Sequence, residues 1–254
     1  MICVMVSLKK EIDYFLDILQ NVKKRKISGR AVYRGRINGN DIEVIKTGIG
    51  SKSFDVKLLE NCSRVISAGF CGALVTGFST GDIVVSTELV LADEKFLNRL
   101  YVPKGMSGAA CPAGSANREN GLTEQEPKKN PQAVTVGEEL RLLLLDKGVK
   151  IHRGRTVTAS RAIRNYREKV ALGQAAGAVS VDMEDYYRFA HADSMGKPFI
   201  SIRSVLDEVS DDVPGFGSGL HFRSHVSTLL KNLTPAAVSL ALALEQFFTL
   251  KSLK

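Results

Sequence analysis

The sequence has no tryptophan, few histidines, few cysteines and no long apolar run. A membrane-spanning helix needs about 20 predominantly apolar residues, whereas the first apolar stretch, Ile2 to Val6, meets Lys9 and Lys10 almost at once. A cytoplasmic location with nothing cleaved from the front is therefore the expectation. Cys3, Cys62, Cys71 and Cys111 contain no CxxC pair. That argues against a zinc knuckle or a disulfide framework and for reduced, structural thiols. His221 and His225 sit four apart with no Glu or Cys at ligand spacing, so they read as surface histidines. No metal and no redox cofactor is expected.

What the chain does have is apolar content of 44%, ample for a core, and a formal charge of +8. Positive potential attracts anions of any kind. Here the charge is spread thinly, in short runs such as Lys23 to Lys26 and Lys128-Lys129 without interleaved aromatics. Such runs are usually solvated faces, and a nucleic-acid-binding domain has only net charge behind it.

Along the chain, Ile2 to Val6 reads as a buried strand, and Leu8, Ile12, Phe15, Leu16 and Leu19 recur at helical spacing. Arg30 to Arg36 and Asp41 to Thr47 flank the turn signal Asn38-Gly39-Asn40, a hairpin pattern. Gly48 to Ser51 leads into a helix ending near Cys62. Arg64 to Ala68 reads as a strand, Gly69 to Gly72 as a tight loop, and Asp82 to Leu91 as a long β run. The stretch 102–133 is rich in Pro, Gly and small residues and reads as a long flexible loop.

Order returns at Thr135 and Glu138, a capping-box spacing that opens a helix stopping at Gly148. Strands follow at Arg155 to Ala159, Ala178 to Met183 and Phe199 to Leu206. Helices lie near Arg167 to Ala176 and Glu184 to Met195, and an apolar last helix begins at Thr234-Pro235. Gly215 to Gly219 reads as a flexible flank, because it does not join a strand to a helix in a clear βαβ unit. Alternating strands and helices predict a single α/β domain over residues 1–254, three layers deep, around a mixed, mainly parallel twisted sheet.

In open α/β sheets ligands bind at the carboxyl ends of strands. Three segments carry carboxylates there: Glu11 after the first strand, Asp182 and Glu184 after the strand from Ala178, and Asp207 after Phe199 to Leu206. From residue type alone these are as well explained as helix caps or solvated groups.

Five segments in order give them a more specific meaning: "MICVMVSLKKEIDYFLDIL", "KTGIGSKS", "VISAGFCGALVTGFSTGDIVVSTELV", "AVSVDMEDYYRFAH" and "KPFISIRSVLDEVSD". Together they resemble the nucleosidase and nucleoside phosphorylase superfamily, over most of the chain except 102–133 and the region after Asp212. The resemblance implies cleavage of the N-glycosidic bond of a purine nucleoside or 5′-substituted adenosine, by water or by phosphate, in a homo-oligomer.

It assigns Asp207 as the acid beside N7 of the purine, Glu184 as the ligand of the ribose hydroxyls, and Glu11 as the base that orients water. Met183 becomes a wall against the sugar, and Ile49 lines the pocket for the 5′ substituent. Asp182, Gly69, Phe70, Cys71, Gly72, Ile163 and Ser204 fall among the substrate contacts.

The chain also departs from the pattern. Ser67 stands where purine nucleoside phosphorylases carry a phosphate-binding arginine, Phe70 replaces a serine, and "TASRAI" puts Arg161 and Ile163 where the family has an aspartate and an aromatic ring. Phe70 and "REKVALGQAAGAVSVDMED" look like the hopanoid-associated branch, whose lipid-linked nucleoside would suit an apolar entrance and peripheral lipid contact. A non-catalytic nucleoside binder of the same fold is the competing reading.

Overall fold

In the computed structural model, residues 1–50, 56–100, 126–212 and 222–250 are described. The expected loop up to residue 125, Ser51, Cys111, Gly215 to Gly219 and His221 lie outside them.

The strands are β1 (Ile2–Val6), β2 (Gln20–Ile27), β3 (Arg30–Ile37), β4 (Asn40–Lys46), β5 (Arg64–Ala73), β6 (Ile83–Ala92), β7 (Lys128–Lys129), β8 (Ile151–Ala159), β9 (Ser180–Asp182) and β10 (Phe199–Asp207). The helices are α1 (Asp13–Ile18), α2 (Glu94–Arg99), α3 (Gln132–Leu144), α4 (Tyr166–Ala176), α5 (Asp185–Ser194) and α6 (Phe222–Phe247). All strands join one mixed sheet in the order β10-β6-β8-β9-β5-β1-β4-β3-β2, with β7 on β6. This is the α/β class that the alternation implies.

Local periodicity does not reveal that β10 also pairs with β5, in parallel, from Phe199↔Val65 onward. Strands β5, β9, β8, β6 and β10 thereby close on themselves, and β1 to β4 extend from β5 as an open wing. The closure brings the end of β10 against β5, with Asp207 opposite Gly72 across a register shift. Gly72 is required there, because a Cβ would lie 2.8 Å from the Asp207 carboxylate.

The core has two main faces. One packs α1, α3 and α6 on the sheet through Phe15, Val136, Leu140, Leu240, Leu244 and Phe247. The other packs α5 and the turn at Val56–Leu59 through Leu59, Tyr186 and Ala192. Burial of apolar surface at about 25 cal/mol per Å² is the main force holding these layers.

Several local expectations are corrected. Gly69 to Gly72 belongs to the end of β5 and is not a loop, since its backbone pairs with β10 throughout and Gly72 pairs with β9 as well. The Leu8 to Leu19 stripe forms only a 3-10 turn (Lys9–Glu11) and the short α1. The basic run Lys23 to Lys26 is solvent-exposed, as expected of it, and lies on the edge strand β2, where lysines discourage pairing with another chain.

Helix α3 begins at Gln132 with Pro131 as its N-cap, upstream of the expected capping box. Helix α6 begins at Phe222 and carries Pro235 inside it. A proline there removes one helical hydrogen bond, and the apolar face after it, from Ala236 through Phe247, holds the helix on the sheet. Cys3 and Cys62 are joined as a disulfide across a Cα separation of 5.7 Å, correcting the expectation of reduced thiols for this pair, while Cys71 is free and buried. The parallel pairing of β1 with β5 brings the two together, a long-range fact that their separation of 59 residues hides.

Candidate active site

One cavity of about 200 Å³ opens where β1, β4, β5, β8, β9 and β10 end. Glu11, Ile49, Phe70, Cys71, Gly72, Ile163, Asp182, Met183, Glu184 and Asp207, which the sequence reading names from six separate segments, all line it. Gly69 and Ser204 do not. At Gly69 a Cβ would meet Arg203 Nη1 at 2.5 Å and Glu11 Oε1 at 2.8 Å, so this glycine makes room for the residues behind the site. Strand alternation turns Ser204 to the face opposite Arg203, where it is fully buried with no hydrogen-bond partner for its hydroxyl.

The three carboxylates are held differently. Glu11 Oε2 accepts from the amides of Ser7 and Leu8, both at 2.7 Å, and Oε1 accepts from the Phe70 amide at 3.3 Å. Burial raises its pKa above the ordinary carboxylate value, against the opposing pull of Arg203. Glu184 ends the β9 segment as the N-cap of α5, and its Oε1 accepts from the Gly50 amide at 2.8 Å. That bond ties the loop carrying Ile49 to the site. Asp207, 9% exposed, has its Oδ2 2.6 Å from Lys169 Nζ. Burial pushes its pKa up, and Lys169 works against the shift.

Behind Glu11 and Glu184 lies a buried charge network that the sequence alone does not reveal. Arg203, fully buried in mid-strand, reaches Asp182 at 2.8 Å, Asp185 closer still, and Glu184 at 3.6 Å. Arg188 donates to Ser7, Ser67 and Thr47. Thr158 donates to Asp182 at 2.6 Å. Burial and the adjacent Asp185 raise the pKa of Asp182 well above its ordinary value; burial also pushes at Asp185, but Arg203 holds it below. Four carboxyls, Glu11, Asp182, Glu184 and Asp185, thus share this end of the cavity with two buried guanidiniums, which compensate the cost of burying them.

Ser67 donates to Asp185 at 2.5 Å and is fully buried within this network. Arg161, which also lines the cavity, pairs with Glu168 at 3.3 Å. Among the described residues, no group of three or more His, Cys, Asp or Glu is arranged to hold a metal ion, and no helix is long and apolar enough to cross a membrane.

Two functional candidates were missed although the sequence carries a trace of each. Lys169 shares the stripe Lys169, Leu172, Gly173, Ala176 that α4 buries, so a lysine at a core position of an amphipathic helix was the signal. Arg203 is a charge in the middle of the apolar run of β10, four residues ahead of Asp207 at its end.

Solved structures of other proteins share this architecture. The 5′-methylthioadenosine/S-adenosylhomocysteine nucleosidase of S. pneumoniae, bound to a transition-state inhibitor, superposes with a TM-score of 0.73 at 18% identity, covering 100% of this chain and 99% of that one. The corresponding Neisseria meningitidis enzyme, in complex with methylthio-immucillin-A, gives 0.70 at 18% identity over 97% of both chains. Futalosine hydrolase of Helicobacter pylori gives 0.71 at 15%, over 97% of this chain and 96% of that one. At such identities the likeness establishes the fold. Family membership comes from the sequence profile of the phosphorylase superfamily, which matches residues 1–240. The chain belongs to the phosphorylase superfamily.

Proposed function

We propose that this protein hydrolyses the N-glycosidic bond of a purine nucleoside whose 5′ substituent is apolar. The observation that carries the reading is that Asp207, Glu184 and Glu11, carried by three separate segments of the chain, line one cavity. Breaking the bond leaves negative charge on the base and positive charge on the sugar. A carboxyl beside the base donates a proton to the departing purine; its raised pKa keeps that proton available at a higher pH than an ordinary aspartate would. Glu184 accepts from the ribose hydroxyls, and its charge stabilises the developing oxocarbenium ion. Glu11, anchored by two amides, takes the proton of the attacking water.

Water is favoured over phosphate because the sugar end is lined with carboxylates, and Ser67 is already bonded to Asp185 where a phosphate-binding cation would be needed. A phosphate dianion entering there meets like charge. The mouth is apolar: Leu8, Phe70 and Met183 surround it, and Ile49 is 58% exposed. This supports a thioether or hydrocarbon group at the 5′ position, in keeping with the methylthio ligand of the Neisseria relative.

The test is to incubate the protein with methylthioadenosine, adenosine and inosine, with and without phosphate, and to measure free base. The reading predicts release without phosphate, fastest for methylthioadenosine. Release only with phosphate makes the enzyme a phosphorylase; no release from any nucleoside, lipid-linked ones included, leaves a binding protein.

A further inference from the structure

Lys169 belongs to no part of the chemistry described so far, yet its position is unusual. It is 0% exposed, and a buried amine is costly unless fully bonded. Its Nζ lies 2.6 Å from Asp207 Oδ2 and donates to the backbone carbonyls of Glu208 at 2.6 Å and Asp211 at 2.7 Å. An ammonium has three protons, and all three are used. The turn after β10 is fixed around it: the Glu208 amide donates to Asp211 Oδ2 at 2.9 Å, and Asn232 of α6 donates to the Leu206 carbonyl at 3.0 Å. Helix α4 comes close enough to deliver the amine because Gly173 presses on the Leu74 backbone, where a Cβ would lie 2.9 Å from the carbonyl oxygen.

We propose that Lys169 is the positioning residue of the acid, fixing Oδ2 of Asp207 so that Oδ1 is the oxygen offered to the purine, and neutralising the carboxylate left when the proton departs. The inference rests on the reading of Asp207 as the acid. In the step concerned, the proton on Oδ1 moves to the purine nitrogen as the glycosidic electron pair passes to the base, and Asp207 becomes an anion. In a buried site that anion is poorly solvated, and a cation at 2.6 Å is its main compensation. Lys169 touches no cavity-lining surface of its own, so it acts through Asp207 alone. The network facing Asp207 from every side is then Lys169 of α4, Asp211 of the following turn, and Cys71 and Gly72 of β5.

The experiment measures kcat and KM against pH for wild type, Lys169→Met, Lys169→Gln and Lys169→Arg, with thermal melting as the control for folding. The acid must be protonated, so the descending limb of kcat/KM reports its ionisation. Removing the cation disfavours the carboxylate. Met and Gln should therefore move that limb to higher pH by a unit or more and lower the plateau kcat at least tenfold, with KM within about threefold. Arg should return the limb toward wild type.

In the wild type itself, the 15N resonance of Lys169 Nζ should shift as the neighbouring Asp207 ionises, with its midpoint on the descending limb; this holds even if the neutral variants fail to fold. A folded neutral variant with the wild-type limb and kcat overturns the proposal, as does a loss of activity equal at every pH, or a Nζ resonance that ignores the limb. If the wild type releases no base, or Asp207→Asn turns over normally, the functional reading falls first and takes this inference with it. If both hold and Lys169 proves inert, only the role of Lys169 is lost.

Discussion

Glu184→Gln isolates the electrostatic part of the account, because it removes one charge and almost no volume. The amide keeps an acceptor for the Gly50 N–H, now 2.8 Å from Oε1, so the loop bearing Ile49 stays tied. It also keeps hydrogen-bonding capacity for ribose hydroxyls. What disappears is the attraction between a carboxylate and a cationic sugar. Two unit charges about 4 Å apart at an effective dielectric near 20 interact by about 4 kcal/mol, roughly three decades of rate.

Arg203, 3.6 Å from Oε2, already offsets part of the carboxylate's field, so the loss should lie between about 30-fold and 1,000-fold in kcat. KM should change by less than about fivefold, since the neutral ground state feels little of the charge. The assay is base release at saturating and limiting nucleoside, with melting curves to show an intact fold. A folded variant retaining kcat within about threefold of wild type refutes the reasoning, as does a loss confined to KM, which signals uniform binding.

Three further outcomes follow from the same geometry. Asp207→Asn should lower kcat by about 10²- to 10⁴-fold, the range for loss of a general acid, while substrate protection against thermal unfolding persists. Activity in kcat/KM should be bell-shaped in pH, because Glu11 must be ionised and Asp207 protonated. Burial raises the pKa of both, so both limbs should lie above the ordinary carboxylate range near 4, and an Asp207→Asn background should lack the descending limb. Arg203→Met strands Asp182 and Asp185 without their common partner and should cost about 3–5 kcal/mol, a melting point lowered by roughly 10 °C for a chain of this size; an unchanged melting point contradicts the network.

Much of this arrangement is legible in the sequence where chemistry is tied to strand ends. Asp182, Met183 and Glu184 follow β9, Asp207 closes β10, and Glu11 stands just beyond β1. Apolar runs mark those strands, and the ordered motifs name the carboxylates after them. The remainder depends on partners distant in sequence. That β10 closes the barrel on β5 follows from packing of whole layers, which no local period encodes.

Ser204 lies outside the cavity because neighbouring strand residues point to opposite faces, and only the settled register says which one faces it. Lys169 was passed over because charged residues on a helix are normally solvated; its burial is intelligible only once Asp207 and the turn at 208–211 stand beside it. The edge strand β2 was hidden by its own lysines, whose solvent exposure is what an edge requires.

The most direct test of the central claim is a crystal structure with a non-cleavable purine nucleoside analogue carrying a methylthio group at the 5′ position. The account predicts N7 within hydrogen-bond distance of Asp207 Oδ1, the ribose hydroxyls on Glu184, and the sulfur among Leu8, Ile49 and Phe70. A nucleoside bound in the reverse sense, with its base toward Glu184, or bound outside this cavity, contradicts it.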